Sequence, residues 1–298
     1  MKKVKAWIQA ARLRTLPLAF STILMGSFLA ADGGRFDGGI LFFCLLTTLF
    51  LQILSNLAND FGDSESGVDS DSRVGPARTV QSGLISRSEM KKGLIAFSLL
   101  SLASGLYLIY LSFGDDWVYA LIFFILGITA IAAAIKYTVG NNPYGYMGLG
   151  DLFVLIFFGL VGVGATYFLY TRQFEIKFLL PALCMGLLST AVLNVNNIRD
   201  IQSDRVSGKN SIPVRVGKKN ATYYHWFLLL TAMGSMLIFT AIGNFDWNGY
   251  VYVISYPLFI RNGIAVQNKK SEELDPFLRQ LALSILLFVL LFGAGILF

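Results

Sequence analysis

The sequence predicts an all-α protein, a polytopic membrane helical bundle with about nine transmembrane helices. Hydrophobic residues make up 55% of the chain and charged residues only 14%, and the mean hydropathy is +0.63. Soluble domains are less apolar and more highly charged than this. The apolar residues also form long runs, whereas strands of a membrane barrel alternate apolar and polar residues in short segments. Both observations favour helices that cross a membrane.

Each predicted span is an apolar run that approaches the 20 or so residues needed to cross a bilayer. The amino terminus is basic like a signal peptide, but no small-residue cleavage pattern follows it, so we expect a retained first helix. The eighth run is short and contains Pro257, which makes it the weakest of the set. Together the runs predict one membrane-embedded domain over residues 1–298. The spans are 16–31, 39–57, 93–113, 117–135, 152–170, 178–195, 226–242, 250–260 and 281–298.

The loops differ in charge on the two sides of this predicted bundle. Lysine and arginine gather at the amino terminus and in the loops near 73–92, 199–219 and 261–270, while the opposite turns hold few cations. Because cationic loops remain in the cytoplasm, we expect these loops to be cytoplasmic. The sequence therefore predicts a multi-pass protein of the inner (cytoplasmic) membrane. Its net charge of +6 reflects this topology together with a local anion site, and it gives no reason to invoke nucleic acid.

Two clusters of asparagine and aspartate end apolar runs on the predicted cytoplasmic side. Charges near hydrocarbon are costly unless they have partners, so such clusters indicate a functional site. The spacing i, i+3, i+4, i+7 in the first cluster and i, i+3, i+7 in the second places each set on one helix face. The first set is Asn56, Asn59, Asp60 and Asp63, and the second is Asn197, Asp200 and Asp204.

These oxygen-rich faces are typical of a site for divalent metal and diphosphate. Mg²⁺ prefers oxygen ligands and binds through a few carboxylates together with substrate phosphates, where it can stabilise a leaving diphosphate. Arginine and lysine, which bind phosphate oxygens, follow each cluster. They are Arg73 and Arg78 after the first, and Arg205, Lys209 and Arg215 after the second. Simple pairing of these acids and bases at a surface is the alternative, but the repeated pattern favours a site.

The two clusters resemble the aspartate-rich motifs of the UbiA superfamily of intramembrane aromatic prenyltransferases. Asn59, Asp60 and Asp63 match its N-D-x-x-D motif, and Asp200 and Asp204 match its D-x-x-x-D motif. The superfamily pattern continues to a further aspartate, where this chain has Gly67 and then Asp69. That departure is similar to the branch that prenylates 1,4-dihydroxy-2-naphthoate in menaquinone biosynthesis. The segments ARLRTLPLAF, YTVGNNPYGYMGLGD and NNIRDIQSDRVSGKNSIPVRVG resemble the same branch.

The resemblance implies a UbiA-type fold and a Mg²⁺-dependent transferase of prenyl groups. Polyprenyl diphosphate and 1,4-dihydroxy-2-naphthoate would be its substrates, and loss of diphosphate and carbon dioxide would give demethylmenaquinone. Tail length, oligomeric state and the number of metal ions stay open. The implied metal ligands are Asp60, Asp63, Asp200 and Asp204, assisted by Asn56, Asn59 and Asn197, with Arg73, Arg78, Lys209 and Arg215 drawing off diphosphate.

An allylic cation must be kept from water, which argues for an aromatic lining. The loop YTVGNNPYGYMGLGD supplies candidates, namely Tyr137, Tyr144, Tyr146 and the nearby Phe157 and Phe158. Lys136 and Asp151 lie at the two ends of this loop, and we expect them to reach the site. We include Lys136 among the predicted catalytic residues. Arg14 either binds the naphthoate carboxylate or only sets topology.

Other functions fit parts of this pattern. A secondary transporter also has many helices and intramembrane carboxylates, but its charges should lie near the bilayer midplane and not at helix ends. Within the superfamily, the acceptor could be 4-hydroxybenzoate or homogentisate, or the enzyme could be a farnesyltransferase similar to haem O synthase. A non-catalytic prenyl-binding scaffold would not need every carboxylate.

Overall fold

The computed structural model describes residues 2–65 and 79–298, and this part of the chain is helical without any β-strand. A π-helix, Leu155–Ala165, joins α6 to α7 as one continuous rod. The α-helices are α1 (Lys2–Ala11), α2 (Leu16–Asp32), α3 (Gly38–Glu65), α4 (Arg87–Phe113), α5 (Trp117–Lys136), α6 (Gly150–Val154), α7 (Thr166–Thr171), α8 (Leu179–Arg199), α9 (Ile201–Val206), α10 (Ile212–Ile242), α11 (Tyr256–Asn268) and α12 (Asp275–Leu297).

Eight helical stretches in the described residues are long and apolar enough to cross a membrane. They agree with eight of the nine predicted runs, so the chain is a multi-pass membrane protein. The remaining run, 250–260, is divided between a 3₁₀-helix, Trp247–Ser255, and α11. Pro257 lies in the first turn of α11, where its missing N–H and fixed φ are tolerated. A proline within a longer helix would break it, so this stretch stays in two short pieces.

The helices pack around α8. In its span 72% of the residues are buried, against 6% in the span of α5. The main apolar core joins α2, α8, α10, α11 and α12 through buried side chains such as Met25, Leu188, Phe239 and Phe288. A second core joins α1, α3 and α4 around Leu54 and Leu57. Helix α5 packs mainly against α3 and α4 at the edge of the bundle.

Close backbone contact fixes the end of α3 against the loop that follows α5. A Cβ atom on Gly62 would lie 2.4 Å from the carbonyl oxygen of Thr138, which is far inside van der Waals contact. Only glycine allows this approach. The Thr138 hydroxyl strengthens it by donating to the Ala58 carbonyl oxygen at 2.9 Å. The first acidic cluster is therefore held beside the loop 137–149.

Candidate active site

The two acidic clusters meet at one end of the bundle. Asn56, Asn59 and Asp63 from α3 line the same cavity as Asp200 and Asp204 from the α8–α9 junction. The cavity has a volume of about 510 Å³, within the range of roughly 300–1,000 Å³ found for sites that bury a small ligand. Its wall continues from these polar residues along apolar faces of α3, α4, α5 and the rod formed by α6, the π-helix and α7. The site thus combines a polar head region with an apolar extension.

The first cluster is held by groups distant in sequence. Asn56 Nδ2 donates to the Ala11 carbonyl oxygen at 2.9 Å and to Thr15 Oγ1 at 3.2 Å. Thr138 Oγ1 donates to Asn59 Oδ1 at 3.2 Å. The hydroxyl of Tyr146 donates to Asp63 Oδ1 at 2.5 Å. These bonds tie α3 to the amino-terminal segment and to the loop 137–149.

Asp60 lies behind the cavity wall instead of on it. It accepts from the Thr79 backbone N–H at 3.0 Å and from the Thr79 hydroxyl at 2.6 Å. The cavity face of α3 includes Asn56, Asn59 and Asp63, and Asp60 lies at the edge of this face, about 100° around the helix from Asn59. Its other oxygen, Oδ1, is buried with no hydrogen-bond partner among the described residues.

The second cluster is divided by a helix break. Helix α8 ends at Arg199, and Asp200 precedes α9, so Asn197, Asp200 and Asp204 do not share one continuous helix face. Asp200 and Asp204 line the cavity. Asn197 is buried but is not part of the cavity wall. In the described part of the chain, Oδ1 of Asn197 accepts no hydrogen bond.

Each carboxylate of the second cluster has a cation from its own segment. Arg199 donates from Nε to Asp200 Oδ1 at 2.8 Å and from Nη2 to Oδ2 at 2.7 Å. Such two-point pairs are strong and directional. Lys209 Nζ lies 3.2 Å from Asp204 Oδ2. Burial disfavours the charged lysine, but Asp204, Tyr137 and Asp200 together outweigh it and raise the pKa of Lys209 above its ordinary value, so the side chain is a cation at neutral pH.

The aromatic loop forms another wall of the cavity. Tyr137 and Tyr144 both line it, with ring centroids 5.3 Å apart. Tyr144 stacks on Phe153 at 3.9 Å and donates its hydroxyl to the Ala133 carbonyl oxygen. Burial raises the pKa of Tyr144, which keeps its hydroxyl protonated. Phe157 and Phe158 also line the cavity. Four of the five predicted aromatic residues therefore line this space, whereas Tyr146 does not.

Several residues predicted for the site lie elsewhere. Lys136 is exposed at the end of α5 and is not part of the cavity wall. Arg215 is also exposed. It donates a hydrogen bond to the Met147 carbonyl oxygen and so holds the loop 137–149. Arg14 does line the cavity, and its Nη1 is 3.5 Å from Asp275 Oδ2. Arg73 and Arg78, like Asp69, lie outside the described residues.

Three polar contributors were not predicted from the sequence. They are Arg199, which holds Asp200, Thr79, which holds Asp60, and Asp275 at the start of α12, which binds Arg199 Nη1. Arg199 directly precedes Asp200 in NNIRD, so its position next to the motif was a usable signal. Thr79 directly follows Arg78, a predicted cation of the site, so its position was also a usable signal, whereas Asp275 is distant from both motifs and no local pattern marks it.

The oxygen donors of the site suit Mg²⁺ in type. Buried carboxylates and amides converge on the cavity, and the unpartnered Asp60 Oδ1 and Asn197 Oδ1 lie just behind it. Carboxylates are hard oxygen ligands of the kind Mg²⁺ accepts, together with water and phosphate. No group of three acidic, histidine or cysteine residues in the described ranges is arranged around a single point. The residues therefore fit a metal that takes its remaining ligands from a bound phosphate.

Sequence comparison places this arrangement in a known family. Residues 19–281 match the UbiA prenyltransferase family. The chain belongs to the UbiA prenyltransferase family. It is 45% identical to the 1,4-dihydroxy-2-naphthoate octaprenyltransferase of Haemophilus influenzae, over 99% of this chain and 97% of that protein. It is 42% identical to the enzyme of the same name from Escherichia coli, over 99% of this chain and 96% of that one.

Solved structures agree with the UbiA fold. An apo UbiA homologue from Aeropyrum pernix aligns with a TM-score of 0.69 at 17% identity, covering 96% of this chain and 98% of that one. A UbiA homologue from Archaeoglobus fulgidus bound to GPP and Mg²⁺ aligns with a TM-score of 0.64 at 17% identity, covering 96% of this chain and 99% of that one. The helical UbiA architecture predicted from the sequence is confirmed.

Proposed function

We propose that this UbiA enzyme transfers a polyprenyl group from polyprenyl diphosphate to 1,4-dihydroxy-2-naphthoate. Diphosphate and carbon dioxide leave, and the product is demethylmenaquinone in its quinol state. The cavity is the observation that carries the proposal, because its acidic and amide head region and its apolar extension suit a diphosphate with a hydrocarbon tail. The acceptor is supported by the two relatives named as naphthoate octaprenyltransferases.

The head region would hold the diphosphate together with Mg²⁺. Asp63, Asp200 and Asp204 would bind the ion from the cavity wall, with Asp60 behind them. The ion supplies positive charge to the oxygens of a leaving diphosphate. A UbiA homologue bound to GPP and Mg²⁺ supports this donor and cofactor. Lys209 adds a fixed positive charge at the same end, and Asn56 and Asn59 contribute amides. Arg73 and Arg78 belong to this proposal on sequence alone.

The chain's own residues would protect the reacting centre. When the bond between C1 of the prenyl group and oxygen breaks, its electron pair leaves with diphosphate and an allylic cation remains. The rings of Tyr137, Tyr144 and Phe157 line the cavity where this cation forms, so they exclude water and offer their π faces. The naphthoate ring then bonds to C1 and gives up its carboxylate as carbon dioxide, which restores the aromatic quinol. Arg14 on the same wall suits the acceptor carboxylate.

We further propose that the whole chain forms one domain in the inner membrane with its active site facing the cytoplasm. The polar end of the cavity contains Arg14 and Lys209, and these residues belong to the cation-rich segments. The positive-inside rule assigns such segments to the cytoplasm. A cytoplasmic site would meet soluble naphthoate from one side and membrane-borne prenyl diphosphate from the other.

Turnover in nanodiscs tests the proposal. Purified protein receives 1,4-dihydroxy-2-naphthoate and geranylgeranyl diphosphate, with either Mg²⁺ or a chelator. We expect a decarboxylated prenyl-naphthoquinol only with Mg²⁺. Product from 4-hydroxybenzoate or homogentisate but not from naphthoate would support a prenyltransferase and contradict the proposed acceptor. Folded protein that gives no product with any acceptor would favour a transporter or a prenyl-binding scaffold.

A further inference from the structure

The loop 137–149 contacts both acidic clusters. Its Tyr146 donates a hydrogen bond from the side-chain hydroxyl to Asp63 Oδ1 at 2.5 Å. The carbonyl oxygen of the same residue accepts a hydrogen bond from the Asn210 backbone N–H at 2.9 Å. Asn210 lies in the segment 207–211, which joins α9 to α10 and directly follows the second cluster. Tyr146 therefore joins the first cluster to the chain segment of the second.

The segment 207–211 is fixed in turn to Asp204. The backbone N–H of Lys209 donates to the Asp204 carbonyl oxygen at 2.9 Å, and the lysine ammonium group lies 3.2 Å from Asp204 Oδ2. Lys209 directly precedes Asn210, so a continuous path connects the two clusters. We call it the loop bridge, and its members in order are Asp63, Tyr146, Asn210, Lys209 and Asp204. Among the described residues α3 makes little contact with α8 or α9, so the clusters depend on such loops for a direct connection.

Close contact at Gly148 holds the two loops together. The φ angle of this residue is +78°, a left-handed conformation that favours glycine. A Cβ atom here would lie 2.5 Å from the Asn210 carbonyl oxygen and 2.7 Å from Arg215 Nη2. Arg215 also donates a hydrogen bond to the carbonyl oxygen of Met147. No side chain fits between the loops at this point, so any residue other than glycine would push them apart.

We propose that the loop bridge fixes the separation of the two acidic clusters, so that both hold one Mg²⁺-bound diphosphate at the same time. This inference rests on the diphosphate site of the proposed function. Mg²⁺ demands near-ideal octahedral geometry, and carboxylates from two separate helices meet that demand only if their spacing is fixed. Tyr146, Gly148 and Arg215 lie outside the cavity wall. They are therefore positioning residues, which act on the metal ligands and do not touch the substrate.

Opening the loop bridge tests its role. Gly148→Ala adds a Cβ atom where the Asn210 carbonyl oxygen and Arg215 now lie. Gly140→Ala is the matched control, because Gly140 lies in the same loop at φ +93° and its Cβ position meets only Lys136 Nζ, at 3.5 Å. The probe is inorganic pyrophosphate with Mg²⁺, titrated calorimetrically into protein in nanodiscs without prenyl donor or acceptor. We expect Kd to rise at least about tenfold in Gly148→Ala, since Mg²⁺ tolerates little departure from its ligand geometry. It should stay unchanged in Gly140→Ala.

Thermal unfolding without ligand separates positioning from stability. Both variants place a side chain at a left-handed φ, so both should lose stability, yet only Gly148→Ala should lose affinity for Mg²⁺ pyrophosphate. The losses from Gly148→Ala and Tyr146→Phe should not add in the double variant, because both break one path. If Gly148→Ala does not fold, Arg215→Ala replaces it at an exposed position. That variant should also raise Kd, and Arg215→Lys, which keeps a donor for the Met147 carbonyl oxygen, should restore part of the affinity.

The same measurements separate the loop bridge from the proposed reaction. Weaker pyrophosphate binding in Gly148→Ala alone would support the bridge even if naphthoate proved to be the wrong acceptor. An unchanged Kd in Gly148→Ala, or in Arg215→Ala where that variant replaces it, would overturn the bridge and leave prenyl transfer intact. So would an equal rise in Gly140→Ala, or fully additive losses in the double variant. Unmodified protein that binds no Mg²⁺ pyrophosphate would contradict both the diphosphate site and the bridge.

Discussion

The two acidic clusters differ in how their carboxylates are held. Asp200 and Asp204 are paired with Arg199 and Lys209, cations one and five residues away in the chain. Asp60 and Asp63 accept hydrogen bonds from the hydroxyls of Thr79 and Tyr146, which are 19 and 83 residues distant. The second cluster is therefore a locally assembled, charge-balanced unit, whereas the first depends on the folded bundle. Two motifs that look alike in the sequence are therefore held by different interactions, ion pairs in the second cluster and hydrogen bonds from neutral hydroxyls in the first.

The largest expected effect concerns stability and comes from the second cluster. Asp200→Asn leaves the nearly inaccessible Arg199 side chain without its two-point partner. Removing one member of a buried ion pair costs about 3 kcal/mol or more, although Asp275 still binds Arg199. Asp63→Asn weakens a hydrogen bond from a neutral hydroxyl, and we expect a cost of about 1 kcal/mol. Thermal unfolding in the same detergent measures both.

Turnover should be lost in both variants, by at least about 10²-fold, since each removes a charge from the diphosphate site. Only the loss of thermal stability should differ between Asp63→Asn and Asp200→Asn. Equal destabilisation by Asp63→Asn and Asp200→Asn would show that the clusters are held alike. Near-normal turnover in either variant with Mg²⁺ would remove that carboxylate from the proposed site.

The next effect concerns activity and sharpens the contrast at the first cluster. Tyr146→Phe removes the hydroxyl that donates to Asp63 but keeps the ring. A hydrogen bond to a charged group contributes roughly 1.5–3 kcal/mol, so we expect turnover at low Mg²⁺ to fall at least about tenfold. Titrating activity against Mg²⁺ measures the change. Tyr223→Phe, at a tyrosine that is largely exposed, is the control and should behave as the unmodified protein does. If the two variants titrated identically, Tyr146 would have no role in positioning Asp63.

The same contrast explains what the sequence could predict. Helix-length apolar runs predicted nine spans, and eight of them agree with helices of the described residues that are long enough to cross a membrane. Motif spacing placed Asn56, Asn59 and Asp63 on one face of α3. They could not show that a break at Asp200 divides the second cluster, because the residues around it are compatible with a continuous helix. They also placed Asp60 on the cavity face, since spacing alone does not fix helix rotation.

Long-range contacts were beyond local patterns altogether. Lys136 and Arg215 flank the motifs in sequence, yet both are exposed and neither lines the cavity. Thr79 and Asp275 belong to neither acidic motif, but the fold brings them to Asp60 and Arg199. The carboxylates of the second cluster have cations close to them in the chain, although Arg199 was not predicted, whereas the partners of the first cluster are distant in sequence.

A smaller effect is expected where a neutral hydroxyl supports a carboxylate outside the cavity. Thr79→Val removes the side-chain donor to Asp60 but keeps the backbone N–H that also bonds to it. Because the Thr79 backbone N–H still donates to Asp60 Oδ2, we expect a loss of only about 1 kcal/mol in unfolding free energy. Thr79→Ser keeps the hydroxyl and should restore most of it. If the Thr79→Val and Thr79→Ser variants were equally stable, this hydrogen bond would contribute nothing to holding the first cluster.

The smallest effect on stability is expected at Arg14, the outermost link of the second cluster. Arg14 reaches Asp275 at 3.5 Å, and Asp275 in turn binds Arg199. Both Arg14 and Asp275 are partly exposed, and pairs of this kind contribute about 0–1 kcal/mol. Arg14→Ala should therefore leave thermal unfolding nearly unchanged.

The same Arg14→Ala variant should still raise KM for naphthoate about tenfold, because a charged hydrogen bond to the acceptor is worth more than 1 kcal/mol. KM for polyprenyl diphosphate should change less, and Arg35→Ala, at an arginine that does not line the cavity, should change neither. Equal increases for both substrates would mean that Arg14 supports the second cluster as a whole and does not bind the acceptor.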